Sequence, residues 1–213
     1  MEKRLIIFNF NDKKETDRAV KKAAEVLKLG GIVVHPTDTC YGIAADITNQ
    51  KAIEKVYLLK DRNQKKPLKI IVKDLNDFRK YGKYYPVVEK LIDKYAPFQI
   101  SFVVSKSKTI PAFLNPWDKS IGIQIPRTYI CQQLLEKANV PLVATSANIS
   151  TKKECYNLIE LFDQFLEKDY KQPPFLIIYG GQLPFKKTSS VVRVINNEKI
   201  KIIRSGDAGK IEV

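Results

Sequence analysis

Along the chain, short apolar runs alternate with longer stretches in which apolar residues recur three and four positions apart. The opening run Arg4-Leu-Ile-Ile-Phe-Asn-Phe10 reads as a strand. Val20, Ala23, Ala24 and Leu27 then fall at i, i+3, i+4 and i+7, which predicts an amphipathic helix capped by Thr16 and stopped by Gly30-Gly31. A strand follows over Ile32 to His35. Asn49 to Lys60, with Ile53, Val56 and Tyr57 on one face, predicts a second helix, and the run Leu68 to Val72 after Pro67 is short enough to be a strand. Further helical patterns cover 74–81, 87–95, 129–138 and 157–167, and strand-like runs cover 100–104, 121–125, 142–145, 175–179, 190–195 and 200–203. So many strands separated by helices cannot all be joined by hairpins, so the expected fold is an α/β domain with a mixed sheet and flanking helices.

At 213 residues and 44% hydrophobic, the chain is long enough to bury a proper core, and one domain over 1–213 accounts for it. The tail at about 207–213 is expected to be loosely held. No apolar run approaches the roughly 20 residues needed to span a bilayer and no signal peptide is evident, so a cytoplasmic protein without a membrane partner is expected. Cys40, Cys131 and Cys155 form no CxxC pair, and His35 is the only histidine; disulfide frameworks, cysteine metal sites and histidine metal clusters are therefore not expected. A net charge of +14 attracts polyanions such as nucleotides or RNA, yet the lysines are scattered, which a merely solvated cationic surface would also produce.

Four polar loops hold the candidate chemistry, because in open α/β sheets ligands bind where loops converge at strand ends. His35 to Tyr41 changes abruptly from valines to the hydroxyls of Thr37, Thr39 and Tyr41; this suits a small polar ligand, or simply a satisfied turn. Lys60-Asp-Arg62-Asn-Gln-Lys65-Lys66 puts four cations within seven residues, which a multiply charged anion would relieve and which a solvated turn would tolerate. Thr145-Ser146-Ala-Asn148 ends an apolar run and can bind a ligand or cap a helix. Thr188-Ser-Ser190 pairs with Arg204-Ser-Gly206 near the end. The chain has no GxxxxGK[ST], GxGxxG, HExxH or nucleophile elbow, so any nucleotide would be held by side chains from several loops.

Taken in order, Pro36-Thr-Asp-Thr-Cys-Tyr-Gly42, Lys60-Asp-Arg62 to Pro67-Leu68, Ser146-Ala-Asn148, Ser189-Ser-Val-Val192 and Arg204-Ser-Gly206 resemble the motifs of the threonylcarbamoyl-AMP synthase (YrdC-like) family in its short, single-domain form. The resemblance spans about residues 15 to 206 and implies a twisted α/β fold with an open basic concave face. The implied reaction joins L-threonine, bicarbonate or carbon dioxide, and ATP into threonylcarbamoyl-AMP and pyrophosphate, with Mg2+ carried by ATP. The product would pass to the tRNA-modifying threonylcarbamoyl transferase machinery. By the same resemblance, Thr39, Tyr41, Ser146, Ser189 and Gln124 would hold threonine. Lys60, Arg62, Lys66, Ser120, Asn148 and Arg204 would surround ATP, with Lys60 and Arg62 as electrostatic catalysts and no acid or base assigned.

The sequence departs from the family pattern where charge matters most. Gln124 stands where an arginine of an R-[IV]-P segment is usual, Ile71 where a histidine is usual, and Thr151 where a glycine is usual; a PGPxT-like segment reads Pro97-Phe-Gln-Ile-Ser101. Losing a charged partner for a carboxylate costs about 1.5–3 kcal/mol, and Lys69 or Arg127 is close enough in sequence to compensate. Two alternatives stay open: an RNA-binding relative that kept the basic surface and lost catalysis, and a carbamoyl transferase acting on another acceptor.

Overall fold

The computed structural model describes residues 4–9, 11–165 and 175–213 and follows the expected alternation. In chain order its elements are β1 (Arg4–Ile7), α1 (Lys13–Lys28), β2 (Ile32–Pro36), β3 (Tyr41–Ala44), α2 (Gln50–Lys60), β4 (Lys69–Ile71), α3 (Leu75–Tyr81), α4 (Pro86–Lys94), β5 (Ile100–Ser105), β6 (Ser120–Gln124), α5 (Tyr129–Ala138), β7 (Leu142–Ser146), α6 (Leu158–Phe165), β8 (Phe175–Tyr179), β9 (Ser190–Val194) and β10 (Ile200–Arg204). Phe10 and residues 166–167, the expected ends of the first strand and last helix, lie outside the described residues.

The strands form one open, twisted mixed sheet in the order β1-β8-β2-β3-β7-β4-β6-β5-β9-β10. Parallel pairs (β1/β8, β2/β8, β4/β6, β5/β9) are interspersed with antiparallel ones (β2/β3, β3/β7, β4/β7, β5/β6, β9/β10), three of which, β2/β3, β5/β6 and β9/β10, join strands consecutive in the chain. Among the described residues no helix is long and apolar enough to cross a membrane.

Two local expectations are corrected. The cap of α1 is Asp12, not Thr16: the Asp12 carboxylate accepts from the backbone N–H of Lys14 at 2.8 Å and Glu15 at 3.1 Å, where the unpaired donors and the positive end of the helix dipole favour an anion. Thr16 lies one turn inside and donates its hydroxyl to the Asp12 carbonyl at 2.9 Å. Secondly, residues 41–44 form a strand. Pro36 pairs with Tyr41 and His35 with Gly42, so the hydroxyl-rich loop is the tight connection of the β2–β3 hairpin; four residues of strand are too few to show periodicity.

Helices cover the sheet unevenly. The larger core sets Ile53 and Val56 of α2, Phe78 of α3, Val88 and Leu91 of α4 and Leu161 of α6 against Ile70, Ile121, Ile123, Phe102, Val104 and Val192 of the strands. On the other face, α1 and α5 pack Ala19, Val20, Ala23, Leu27, Ile130 and Leu134 onto Val33, Ala44, Leu142, Leu176 and Ile178, but no residue of β5, β6, β9 or β10 belongs to this second core. Side chains alternate across a strand, so when Ile121 and Ile123 enter the larger core, Ser120, Gly122 and Gln124 must point the other way. Ser101 and Val103 of β5, and Val191 and Arg193 of β9, follow the same rule and face the uncovered side. Residues 207–213 touch the body: Ile211 is buried, and the Glu212 carbonyl accepts from Lys94 Nζ at 3.0 Å while its N–H donates to Tyr95 Oη at 2.8 Å.

Phe78, fully buried, meets Phe102 and Tyr84 edge-on with ring centroids 6.2 and 6.5 Å away. Phe78→Ala should lower the unfolding free energy by about 3–5 kcal/mol in urea titration, with the slope unchanged.

Candidate functional site

The face of the sheet that α1 and α5 leave uncovered is the floor of a cleft of about 510 Å³. Its walls are the β2–β3 turn, the loop after α2, the end of β7, and the segments leading into β9 and out of β10. Of the residues singled out in sequence, Thr39, Arg62, Ser120, Gln124, Ser146, Ser189 and Arg204 line it together.

In the β2–β3 turn the three hydroxyls have separate tasks. Thr37 builds the turn: its hydroxyl donates to the Cys40 carbonyl at 2.6 Å and accepts from the N–H of Thr39 and Cys40 at 3.2 and 3.3 Å. Thr39, its hydroxyl 3.3 Å from that of Thr37, faces the cleft. Tyr41 does not line the cleft as expected. Its ring is fully buried and stacked on Tyr179 at 5.6 Å, and its hydroxyl donates to the Gly181 carbonyl at 2.6 Å, so burial and a satisfied donor turn it into the core.

Lys60, Asn148 and Lys66 also take other places than the cleft wall. Lys60 is only 1% exposed; its ammonium donates to the carbonyls of Ser146 at 2.5 Å and Asn148 at 2.7 Å and to Asn148 Oδ1 at 3.0 Å. Asn148 is buried and donates in turn to the carbonyls of Ile149 and Lys152 at 2.9 and 2.6 Å. The pair is a strut behind the wall that fixes Ser146, whose hydroxyl donates to Asn148 Oδ1 at 2.6 Å. Burial, with the neighbouring Arg62 adding to it, pushes Lys60 down to about 8, while its three accepted N–H bonds keep the proton in place at neutral pH. Lys66 is exposed, and its carbonyl accepts from Arg62 Nε at 3.3 Å and Tyr57 Oη at 3.2 Å.

Asp61 ends α2 in the left-handed conformation (φ 48°) and turns the chain so that Arg62 reaches the cleft, tied to its own loop by Nη2 donating to the Pro67 carbonyl at 2.9 Å. The loop is clamped from behind by buried Asn115, whose amide accepts from Leu68 N–H and donates to Leu68 carbonyl, both at 2.9 Å. Arg204 donates through Nε and Nη2 to the Ser189 carbonyl at 3.2 and 2.8 Å. The glycine two residues on is required by space: a Cβ on Gly206 would lie 2.0 Å from the Thr188 carbonyl oxygen and 2.5 Å from Ser190 N. Ser120 is committed locally, its N–H and hydroxyl both donating to Asp118 Oδ1 at 2.8 and 2.7 Å.

On the floor, Lys69 donates to Gln124 Oε1 at 2.6 Å, Ser101 Oγ at 3.1 Å and Ser189 Oγ at 3.2 Å. Burial pushes it down to about 8, with Arg204 lowering it further against the opposing influence of Asp38. Arg127 points away; it is exposed and donates to the Ile92 carbonyl at 3.0 Å. Arg193 completes four cations around the cleft with Arg62, Lys69 and Arg204. Among the described residues none of the four is in an ion pair. Asp38, Asp118 and Glu154 also line the cleft, and burial pushes the Asp38 carboxyl above its usual range.

The arrangement can bind anions and orient hydroxyl-bearing ligands, while its histidine and thiols are held in their neutral forms. His35 is 2% exposed, burial pushes it down to about 4, and its Nδ1 lies 3.1 Å from the Pro36 carbonyl, so the neutral ring donates there. The three cysteines are buried free thiols, raised by burial to about 11 or 12. Among the described residues no group of three His, Cys, Asp or Glu side chains could hold a metal ion. Arg193 and the lining acids were not singled out in sequence; the one local signal for Arg193 is a cation set between Val192 and Val194, which strand alternation turns to the face opposite those two valines.

A family model for Sua5/YciO/YrdC, described as "Telomere recombination", matches residues 25–206. A putative threonylcarbamoyl-AMP synthase of Methanocaldococcus jannaschii is 38% identical over 191 residues, covering 87% of this chain and 86% of its own. The Homo sapiens threonylcarbamoyl-AMP synthase is 32% identical over 196 residues, covering 89% and 68%. Among solved structures, P. abyssi Sua5 complexed with L-threonine shares the fold with a TM-score of 0.81 at 22% identity; the match covers 97% of this chain and spans 58% of the Sua5 chain.

Lys60→Met should cost about 2–4 kcal/mol of stability in thermal or urea unfolding, because buried carbonyls lose their donor, whereas Arg62→Ala should cost about 1 kcal/mol or less. Gly206→Ala should force β9 and β10 apart beside Arg204 and Ser189, lowering stability by about 1–3 kcal/mol in urea unfolding.

Proposed function

Because this chain belongs to the Sua5/YciO/YrdC family, we propose that it is a threonylcarbamoyl-AMP synthase, a nucleotidyltransferase that makes threonylcarbamoyl-AMP and pyrophosphate from L-threonine, bicarbonate or carbon dioxide, and ATP. The observation that carries the reading is a cleft in which four cations without ion-pair partners surround the hydroxyls of Thr39, Ser146 and Ser189. Curated relatives named for this activity support it, as does a protein of the same fold solved with L-threonine.

The chemistry asks for what the cleft offers. Threonine's amine takes up carbon dioxide as a carbamate with loss of a proton, and a carbamate oxygen attacks the α-phosphorus as the bond to pyrophosphate breaks. Two anions must be held against each other, so fixed positive charge and orientation matter more than a general base. Arg62, Arg204 and Arg193 would offset charge on the phosphates and the departing pyrophosphate, and Thr39, Ser146 and Ser189 would orient threonine. Lys60 and Asn148 would serve by holding the Ser146 backbone. Mg2+ would enter with ATP, and the product would serve the tRNA-modifying threonylcarbamoyl transferase machinery.

The test is pyrophosphate release from ATP and bicarbonate with L-threonine, L-serine or no amino acid. Threonine-dependent release that falls at least tenfold in Arg62→Ala and Arg204→Ala is expected. If no amino acid elicits release, while RNA binds with an affinity that falls steeply with salt, the synthase reading fails in favour of a basic binding module.

A further inference from the structure

We propose that Lys69 is the cation that takes the carboxylate of the amino-acid substrate, its charge having moved one strand over from position 124 of β6 to β4. The inference rests on the synthase reading and assigns a residue that the family motifs do not include.

Three observations place the charge there. Ile70 pairs with Ile123 in the parallel β4–β6 ladder, so the Lys69 stem passes beside Gly122 on the uncovered face. A Cβ on Gly122 would come within 3.1 Å of Lys69 Cβ, so the glycine makes the room that the stem occupies. The ammonium then ends on three neutral oxygens, those of Gln124, Ser101 and Ser189, and among the described residues it has no ion-pair partner. A largely desolvated ammonium held only by neutral acceptors favours an anion beside it, and the Ser189 hydroxyl can donate to that anion while accepting from Lys69, the Ser101 hydroxyl being committed to Gln124 Oε1.

The same geometry accounts for Gln124. Its Oε1 accepts from Lys69 at 2.6 Å and from Ser101 Oγ at 2.9 Å, so a guanidinium in its place would set two cations against each other. A lysine at 69 and a neutral residue at 124 therefore belong together, and Gln124 is a positioning residue that acts through Lys69.

The groups facing Lys69 are Arg204 from β10, Asp38 and Cys40 from the β2–β3 turn, and Cys131 from α5. With the ammonium lowered to about 8, the free protein loses this charge as pH rises through that value, and carboxylate binding should weaken with it. An arginine stays charged over the same range.

The experiment is calorimetric titration of the full chain with L-threonine and, separately, with ATP, for wild type, Lys69→Met, Gln124→Arg and the Lys69→Met/Gln124→Arg pair. Lys69→Met should weaken threonine binding about ten- to a hundredfold with ATP affinity kept within about twofold. Gln124→Arg alone should also weaken it, and the double variant should recover it and lose the excess decline in affinity that wild type shows between pH 7 and 9. Wild-type threonine affinity in Lys69→Met overturns the proposal alone. Wild type that binds ATP but not threonine overturns the synthase reading and this proposal with it. Should Lys69→Met lose ATP as well, the double variant decides: recovery of threonine binding supports the assignment, and its absence overturns it.

Discussion

Everything in the site depends on one constraint: half of the sheet has a helical layer on one face only. Each strand there must alternate between a buried face and an open one, and the open-face residues, Ser101, Ser120, Gln124 and Arg193 together with Val103 and Val191, form the cleft floor. Ser120, Gly122 and Gln124 of β6, Ser101 of β5 and Arg193 of β9 are polar or small because their neighbours Ile121, Ile123, Phe102 and Val192 fill the core on the opposite side. Had α1 and α5 extended over these strands, the same positions would have needed apolar side chains.

Around this floor the molecule separates support from contact. Lys60 with Asn148, and Asn115 with Leu68, are buried polar pairs that use nearly all their hydrogen-bonding capacity on backbone groups. They fix the carbonyl-rich segments on which Ser146 and Arg62 stand. Buried polar groups satisfied in this way rigidify loops that have no regular ladder, which is the condition for a site that works by orientation. Arg62, Lys69 and Arg204 also donate to neutral acceptors and have no ion-pair partner among the described residues, but their charge borders the open cleft, which is the condition for binding anions.

The helices and most strands were legible because their signals are local. The 3.6-residue spacing of Val20, Ala23, Ala24 and Leu27 found α1, and the shared face of Ile53, Val56 and Tyr57 found α2, whose cap is Asn49. The cap of α1 was misread because Asp12 lies four residues ahead of Thr16 with only polar residues between, so periodicity could not choose between them. Strand β3 was missed because Tyr41 to Ala44 is too short to show a period, and its identity comes from pairing with β2 and β7.

The sequence by itself determined the α/β alternation, the four loops that carry the chemistry and the family, since each depends on residue types at short spacing or on motifs in order. Tertiary structure alone decided which candidates face a ligand. It placed Tyr41 and Lys60 in the interior, sent Arg127 outward, and brought Lys69, Gln124 and Ser189 together across separations of 55 and 120 residues. The physical reason is that hydroxyls and cations are chemically alike wherever they occur in a loop. Only strand register and the uneven cover of helices decide on which face of the sheet each one ends, and therefore whether it is enclosed in the interior or borders the cleft.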